Sequence, residues 1–260
     1  MQKEFSNFLS FAHFLSDKTR DELNNNYMNE KLLVTNKSIN EKKELVTNID
    51  IKIEKRIRTL ITKHYPKHNI IGEEGNTKKT SSDYTWIIDP IDGTKAFIAG
   101  IPVFGFLIAL NYKSRNILGM VDIPVLQERF WNANKSAYRN GVIIKTKKCK
   151  DLSTAILAST EPAMFSNYKY MNEKLFSKFN FIRWGTDVMG YLRCAQGFID
   201  VVIERNIKIW DVAALVPIIK SSGGCISTWD GHEIGHNDTV CASGDKELHD
   251  CLLKYLQKMI

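Results

Sequence analysis

Trp86-Ile-Ile-Asp-Pro-Ile-Asp-Gly-Thr94, continued by Lys95-Ala-Phe97, is the most informative segment of the chain. Its apolar start predicts a buried strand that ends at Asp89-Pro90, and Gly93-Thr94 predicts a tight turn followed by a helix. Asp89 and Asp92, at the end of this strand, can point at one place. Two carboxylates at such a short distance repel each other unless a cation neutralises them, so the segment predicts a metal site.

The donor atoms of this loop favour Mg²⁺ over softer metals. Carboxylates and carbonyls are the ligands of hard divalent cations, and the backbone carbonyl of Ile91 lies between the two aspartates. The helix that starts at Gly93-Thr94 presents free N–H groups and a positive dipole end, which attract a phosphate. We therefore predict that Asp92, Gly93 and Thr94 bind a phosphate beside the metal.

Outside this loop, apolar spacing predicts helices, then strands, then a mixed pattern. In the amino-terminal part, the apolar spacing predicts helices and one short strand. In the middle of the chain, alternating apolar stretches separated by turn residues predict a β-meander. Past the basic stretch at 145–150 the pattern becomes α/β, which suggests two halves, residues 1–148 and 149–260. The predicted elements are helices at 4–26, 49–63, 168–179, 188–197 and 212–220 and strands at 32–35, 104–111, 117–123, 128–131, 155–159, 181–184 and 198–204.

Length and composition are those of a folded protein that can bury a sizeable core. The 260 residues are 43% hydrophobic and 25% charged, which is ordinary globular composition. The five cysteines show no CxxC spacing, which favours reduced thiols in a cytoplasmic protein. The longest apolar run, 101–110, is about half the length that a membrane helix needs, and no secretion signal precedes it.

The positive charge of the chain is spread along it. Lys and Arg number 36 against 29 Asp and Glu, a formal net charge of +7. The densest basic cluster, residues 145–150, is short and carries no interleaved aromatic residues of the kind that stack on bases. The pattern favours a solvated surface and argues against a nucleic-acid partner.

Three motifs in order resemble the inositol monophosphatase superfamily. They are the strand with Asp-Pro-Ile-Asp-Gly-Thr at Trp86–Thr94, Gly-Glu-Glu at Gly72–Glu74, and Trp-Asp-Val-Ala-Ala at Trp210–Ala214. The resemblance covers roughly residues 30–250. It implies an α/β protein of the α+β kind, a layered αβαβα sandwich of the inositol monophosphatase and fructose bisphosphatase type. It also implies a homodimeric, Mg²⁺-dependent phosphate monoester hydrolase that acts on a small molecule.

The resemblance also assigns roles to particular residues. It implies two or three Mg²⁺ ions per site and a water-orienting pair, Thr94 with Asp50, assisted by Glu73. A family lysine upstream of Asp50 has three candidates that the sequence does not rank, Lys37, Lys42 and Lys43. The implied metal ligands are the carboxylates of Glu73, Asp89, Asp92 and Asp211 and the carbonyl of Ile91.

Within the superfamily the chain is most similar to the histidinol-phosphate phosphatase branch. That branch hydrolyses histidinol phosphate to histidinol and phosphate in histidine biosynthesis. The substrate wall would include Asp187, Glu204 and Asp211, and carboxylates there favour a cationic substrate over the neutral polyol inositol. The supporting strings lie at 93–97, 104–110, 124–130, 185–187 and 200–204.

Some positions depart from this branch and leave alternatives open. Residues 44–47 read Glu-Leu-Val-Thr where the branch has Ser-Pro-Val-Thr, and Trp210 stands where a tyrosine is usual. Inositol-1-monophosphatase and a phosphoadenosine-type nucleotide phosphatase are therefore alternatives. A non-enzymatic, RNA- or polymerase-associated protein of the same fold is another. An HExxH string at 232–236 would bind zinc on a helix, but the glycines at 231 and 235 favour a loop.

Overall fold

The computed structural model describes residues 2–37, 44–165, 171, 174–235 and 238–259. Two antiparallel strands, β1 (Val34–Asn36) and β2 (Leu45–Thr47), separate the first helix, α1 (Gln2–Asn26), from the second, α2 (Asn48–His64). Both helices were predicted from sequence. Helix α2 begins at Thr47, whose side chain accepts a hydrogen bond from the backbone N–H of Ile49 at 3.1 Å, as expected of an N-cap.

In the described part of the chain, a seven-stranded sheet follows. Its strands are adjacent in chain order, and all pairs are antiparallel except β3 with β4. The predicted meander is confirmed and continues through two further strands. The strands are β3 (Asn69–Gly72), β4 (Tyr84–Asp92), β5 (Gly105–Tyr112), β6 (Arg115–Ile123), β7 (Glu128–Ala133), β8 (Ser136–Arg139) and β9 (Val142–Ile144), with helix α3 (Thr94–Ile98) after β4.

Strand β4 is buried on both faces, which explains its unbroken apolar sequence. Trp86 and Ile88 belong to a hydrophobic cluster with α1 and α2. Ile87, which alternates with them, belongs to the cluster on the opposite face. Successive side chains of a strand point to opposite faces, so a run of three bulky apolar residues fills both cores.

A second sheet, five-stranded among the described residues, has the order β11-β10-β12-β14-β13. Helices α4, α5 and α6 connect its strands along the sequence. The strand predicted at 198–204 begins later, because Gly197 adopts φ 79° and the N–H of Phe198 bonds back to Arg193 O. The elements are β10 (Ile156–Ser159), β11 (Phe181–Trp184), α4 (Asp187–Ala195), β12 (Val201–Ile207), α5 (Ile209–Val212), α6 (Leu215–Ser222), β13 (Cys225–Ser227), β14 (Asp238–Ser243) and α7 (Lys246–Leu256).

The layers stack as helix, sheet, helix, sheet, helix. Helices α1 and α2 cover the outer face of the larger sheet, α4 and α6 fill the space between the sheets, and α7 covers the smaller sheet. This arrangement confirms the predicted αβαβα sandwich. The predicted division at residue 148 falls between β9 and β10 and stays a prediction. Of the helix predicted at 168–179, residues 168–170, 172 and 173 lie outside the described residues, and the described end holds only a short 3₁₀ helix, Phe176–Lys178.

Two further sequence predictions concern the environment of the protein. No helix among the described residues combines the length and apolar character needed to cross a bilayer. All five cysteines carry free thiols.

Strand β6 passes directly beneath the start of α6. A Cβ atom added at Gly119 would come within 1.9 Å of the carbonyl oxygen of Ala214. The N–H of Gly119 also donates to Asn132 Oδ1 at 2.8 Å, which keeps the strand in place. Only glycine fits where the larger sheet meets this helix.

We predict that Gly119→Ala lowers the free energy of unfolding by about 3 kcal/mol, because the new methyl group forces the helix away from the sheet. Gly141→Ala is the control. Its backbone has φ 84° but an added Cβ meets nothing within 4 Å, so it should cost about 1 kcal/mol. Denaturant unfolding of both variants measures this. An equal loss in the two would show that crowding at Gly119 does not matter.

Candidate active site

Three aspartates converge at the centre of the molecule. Oxygen atoms of Asp89, Asp92 and Asp211, one from each, all lie within 4.8 Å of one another. Asp89 is buried and the other two are half-buried. They line a pocket of about 170 Å³, with Glu73, Thr94 and Asp187 among its other walls.

A bulge in β4 brings Asp89 and Asp92 to the same pocket. Asp89 pairs with Leu107 and Asp92 with Gly105, and the register shifts between them. In a regular strand, residues three apart point to opposite faces, and a bulge removes this constraint. The turn is held by Asp89 Oδ1, which accepts the N–H of Ile91 at 3.0 Å.

Backbone hydrogen bonds also fix the carboxylates of Asp211 and Asp92. Asp211, in the first turn of α5, accepts the N–H of Lys208 at 2.9 Å. Asp92 accepts the N–H of Val188 at 2.8 Å, so its carboxylate satisfies the start of α4. Asp92 thereby joins the larger sheet to the helical layer between the sheets.

Glu73 follows β3 and lines the same pocket. It does not belong to the 4.8 Å cluster of the three aspartates. Lys37 Nζ lies 3.2 Å from Glu73 Oε1 and 2.6 Å from Glu74 Oε1. Of the candidate lysines, the structure therefore places Lys37 at the site, while Lys42 and Lys43 lie outside the described residues.

The pocket disfavours negative charge on its carboxylates. Burial, then the neighbouring carboxylates, raise the pKa values of Asp89 and Asp92 well above the usual range. Burial raises the pKa of Glu73 to about 8, although Lys37 opposes the shift. Burial raises the pKa of Asp211 to about 6. Ionised together, these groups need a cation, and their oxygen-only donor set fits Mg²⁺.

A hydrogen-bonded chain leads from α2 into the pocket. Asp50 Oδ2 accepts both the backbone N–H of Thr47, at 2.9 Å, and its hydroxyl. Thr94 Oγ1 lies 3.3 Å from Asp50 Oδ1 and 3.0 Å from the carbonyl of Ile91. The structure thus brings the predicted pair, Asp50 and Thr94, together beside the predicted carbonyl ligand.

The turn after Asp92 requires glycine. Gly93 has φ 80° and ψ 39°, in the left-handed region, and is the N-cap of α3. An added Cβ would also lie 3.3 Å from Asp187 Cβ and from Phe104 Cα. The helix start predicted at Gly93-Thr94 is confirmed, although the helix itself is only five residues long.

Of the three predicted wall residues, Asp187 and Glu204 have different surroundings, and Asp211 belongs to the aspartate cluster. Asp187 lies over Gly93 at the start of α4, and burial raises its pKa to about 6, opposed by Lys95. Glu204 is buried in β12 and already accepts three hydrogen bonds. These come from the Thr160 N–H at 2.8 Å, the Thr160 hydroxyl at 2.6 Å and the Tyr191 hydroxyl at 2.8 Å. Asp187 is therefore the carboxylate better placed to meet a ligand.

Sequence reasoning missed some members of the site. Thr160 and Tyr191 line the pocket and hold Glu204, but neither stands in a recognisable motif. Thr47 could have been found, since Thr47 and Asp50 form a capping box with the spacing of that motif. The described part of the HExxH string, 232–235, is a loop, as predicted, and the histidine at 236 lies outside the described residues.

Comparison with known proteins agrees with this geometry. The model of the inositol monophosphatase family matches residues 5–260. The bifunctional phosphatase IMPL2 of Arabidopsis thaliana, a chloroplastic protein, is 37% identical over 270 aligned positions, 98% of this chain and 76% of that protein. An inositol monophosphatase structure from Zymomonas mobilis superposes with a TM-score of 0.85 at 30% identity, covering 97% of this chain and 98% of the other.

Other relatives carry different names. A histidinol-phosphatase of Chlorobaculum parvum is 31% identical, over 72% of this chain and 74% of its own. The Nus factor SuhB of Escherichia coli K12 is 35% identical, over 75% and 74%. The family is thus clear while the substrate is not given by the comparisons. The chain belongs to the inositol monophosphatase family and is a metal-dependent phosphatase.

Proposed function

We propose that this chain hydrolyses histidinol phosphate, a cationic phosphate monoester, to histidinol and phosphate in histidine biosynthesis. The observation that carries the proposal is the convergence of Asp89, Asp92 and Asp211 within 4.8 Å, in a pocket that Asp187 also lines. The first feature supports phosphate ester hydrolysis, and the second supports a cationic substrate.

We propose that Mg²⁺ binds to the carboxylates of Glu73, Asp89, Asp92 and Asp211 and to the carbonyl of Ile91, with two or three ions per site. Bound Mg²⁺ would neutralise the phosphate, lower the pKa of a water and stabilise the leaving alkoxide. The carbonyl of Ile91 also accepts the Thr94 hydroxyl at 3.0 Å, but a carbonyl oxygen has a second lone pair for a metal.

The residues of the chain then position water and phosphate. Thr94 has one hydroxyl proton, which it can give to Asp50 or to the carbonyl of Ile91. Its oxygen lone pairs are left to accept a hydrogen bond from the attacking water. We assign Glu73, which lines the same pocket, as the carboxylate that assists this pair. Asp92 and the backbone at Gly93 and Thr94 border the phosphate at the start of α3.

Charge at the pocket mouth supports the cationic substrate. Among the described residues, Asp187 is the wall carboxylate with the fewest hydrogen-bond partners. Lys95 and Glu161, which form an ion pair at 3.2 Å, act on its pKa. Glu204 has room for at most one further donor. The relative named histidinol-phosphatase agrees with this choice. Inositol phosphate and a phosphoadenosine-type nucleotide are the alternatives, and neither carries the ammonium that would pair with Asp187.

A second candidate is a role associated with RNA or polymerase. The relative named Nus factor SuhB favours it, while the complete set of carboxylates favours catalysis. Measurement of RNA binding by the Asp89→Asn variant would separate such a role from hydrolysis. A homodimer and a cytoplasmic location stay predictions, the second supported by the free thiols.

We predict that Asp89→Asn and Asp211→Asn each lower phosphate release by about 10³-fold, because each removes one charge that holds the metal. Chelator should abolish the wild-type activity and Mg²⁺ restore it. Asp83→Asn, at an exposed ion pair with Lys113, is the control and should keep full activity. Near-normal turnover by either site variant would remove that residue from the metal site.

We predict that Mg²⁺ stabilises the protein more at pH 8 than at pH 5.5. The pKa of Glu73 rises on folding from 4.5 to about 8, so its protonation stabilises the metal-free fold below pH 4.5. That contribution is lost as the pH rises through about 8. Mg²⁺ binds the ionised carboxylates and offsets the loss. The increase in Tm on replacing chelator with Mg²⁺ measures this, and an increase that shrinks with pH would contradict it.

We predict that Asp187→Asn lowers kcat/KM for histidinol phosphate by about 30-fold or more and leaves inositol 1-phosphate almost unchanged. Removing a buried charge partner costs about 2–5 kcal/mol, and only the cationic ester has that partner. Both substrates are assayed on the wild type and the variant with saturating Mg²⁺. Equal losses, or a wild type that prefers inositol phosphate, would overturn histidinol phosphate as the substrate.

A further inference from the structure

We infer that Glu54 and Arg58 of α2 are positioning residues that hold the Gly72–Asn76 segment, and with it Glu73, in the geometry that binds Mg²⁺. This inference rests on the proposed role of Glu73 as a metal ligand. Neither residue lines the pocket of the three aspartates. Their effect on the metal would therefore pass through the backbone next to Glu73.

Glu54 accepts hydrogen bonds from the backbone on the far side of Glu73. Its Oε2 accepts the N–H of Glu74 at 2.7 Å, and its Oε1 accepts the N–H of Gly75 at 2.8 Å. The side chain of Glu54 is 2% exposed. Charge-assisted bonds in a buried place are short and strong, so the peptide unit that follows Glu73 has little freedom to move.

Arg58 completes the contact and neutralises Glu54. Its Nε donates to Glu54 Oε1 at 2.6 Å, while Nη1 donates to the carbonyl of Asn76 and Nη2 to that of Gly75, both at 2.9 Å. One guanidinium thus binds a carboxylate and two carbonyls at once. Lysine could not make these three bonds in one plane.

The glycines on either side of the Glu73-Glu74 pair fit this contact. A Cβ at Gly72 would lie 2.5 Å from Glu54 Oε1, and a Cβ at Gly75 would lie 2.8 Å from Arg58 Nε. The segment therefore lies directly against the Glu54–Arg58 pair. The Gly-Glu-Glu-Gly string combines one metal-binding side chain with two positions of close approach.

Helix α2 consequently carries two supports of the site. Asp50, in its first turn, accepts the Thr94 hydroxyl, and Glu54, one turn later, fixes the segment of Glu73. Because one rigid helix holds both, the water-orienting pair and the metal carboxylate keep a constant relation. Residues that orient metal ligands in this way typically account for 10–100-fold in metal affinity.

The test compares Glu54→Gln with a matched control, Lys52→Gln. Glutamine keeps the shape of Glu54, but its NH₂ group must face a backbone N–H or the Arg58 guanidinium, which are also donors, so at least one hydrogen bond is lost. Lys52 lies on the same helix as Glu54, but its side chain is exposed and pairs with Glu22 of α1 at 2.8 Å. Calorimetric titration with Mg²⁺ gives Kd, and thermal unfolding in chelator gives the metal-free stability. We expect Glu54→Gln to raise the Kd for Mg²⁺ about tenfold and Lys52→Gln to leave it unchanged.

Gly75→Ala perturbs the same contact from the segment itself, because the added Cβ would lie 2.8 Å from Arg58 Nε, and it serves where Glu54→Gln does not fold. The added methyl group displaces Arg58, so the Kd for Mg²⁺ should rise in the same direction. A purely structural role would lower Tm in chelator and leave the Kd of the folded variants at the wild-type value, which would overturn the inference. Failure of the proposed function looks different, since the wild type itself would then bind no Mg²⁺ and release no phosphate.

Discussion

The crowding of carboxylates around one small pocket is the constraint on which the rest of this structure depends. Three aspartates within 4.8 Å cannot all be ionised without a cation between them. Burial strengthens the repulsion, as the raised pKa values of Asp89 and Asp92 show. A fold that holds these groups together in the absence of metal needs a compensating source of stability. The two hydrophobic cores on either side of β4 supply it.

The scaffold meets this constraint by holding the acidic groups on three different elements. Asp89 and Asp92 are held by the bulge in β4, Asp211 by the first turn of α5, and Glu73 by the segment that packs on α2. Backbone N–H groups from Ile91, Val188 and Lys208 bind the three aspartates. These bonds orient the carboxylates without supplying a positive side chain, which leaves their charge available to a divalent cation. Lys37 pairs with Glu73 and Glu74 and brings a positive side chain to this edge of the pocket.

Under the proposed function, specificity would depend on which acidic groups at the wall have protein partners. Glu204 is occupied by Thr160 and Tyr191, so it shapes the pocket more than it binds a ligand. Asp187 has no such set of donors among the described residues, and it lies beside the turn at Gly93. The same scaffold could serve a neutral or a cationic ester, and the difference would come from a few groups at the pocket mouth. This agrees with the range of names that its relatives carry.

The loop that carries Asp89 and Asp92 was predictable from sequence, and the layered fold from the family resemblance of three motifs. The supporting contacts were predictable from neither. The two carboxylates stand three residues apart at the end of an apolar strand, so the sequence predicted that Asp89 and Asp92 share one site. The bulge in β4 that turns both to the same pocket was visible only in the structure. The periodicity of apolar residues predicted α1, α2 and the meander, because this periodicity is also a local property of the sequence. Three of the supporting contacts join residues 21 to 44 positions apart: Lys37 with Glu74, Thr160 with Glu204, and Glu54 with Gly75. No local sequence pattern predicts such contacts, because they form only when separate elements pack against each other.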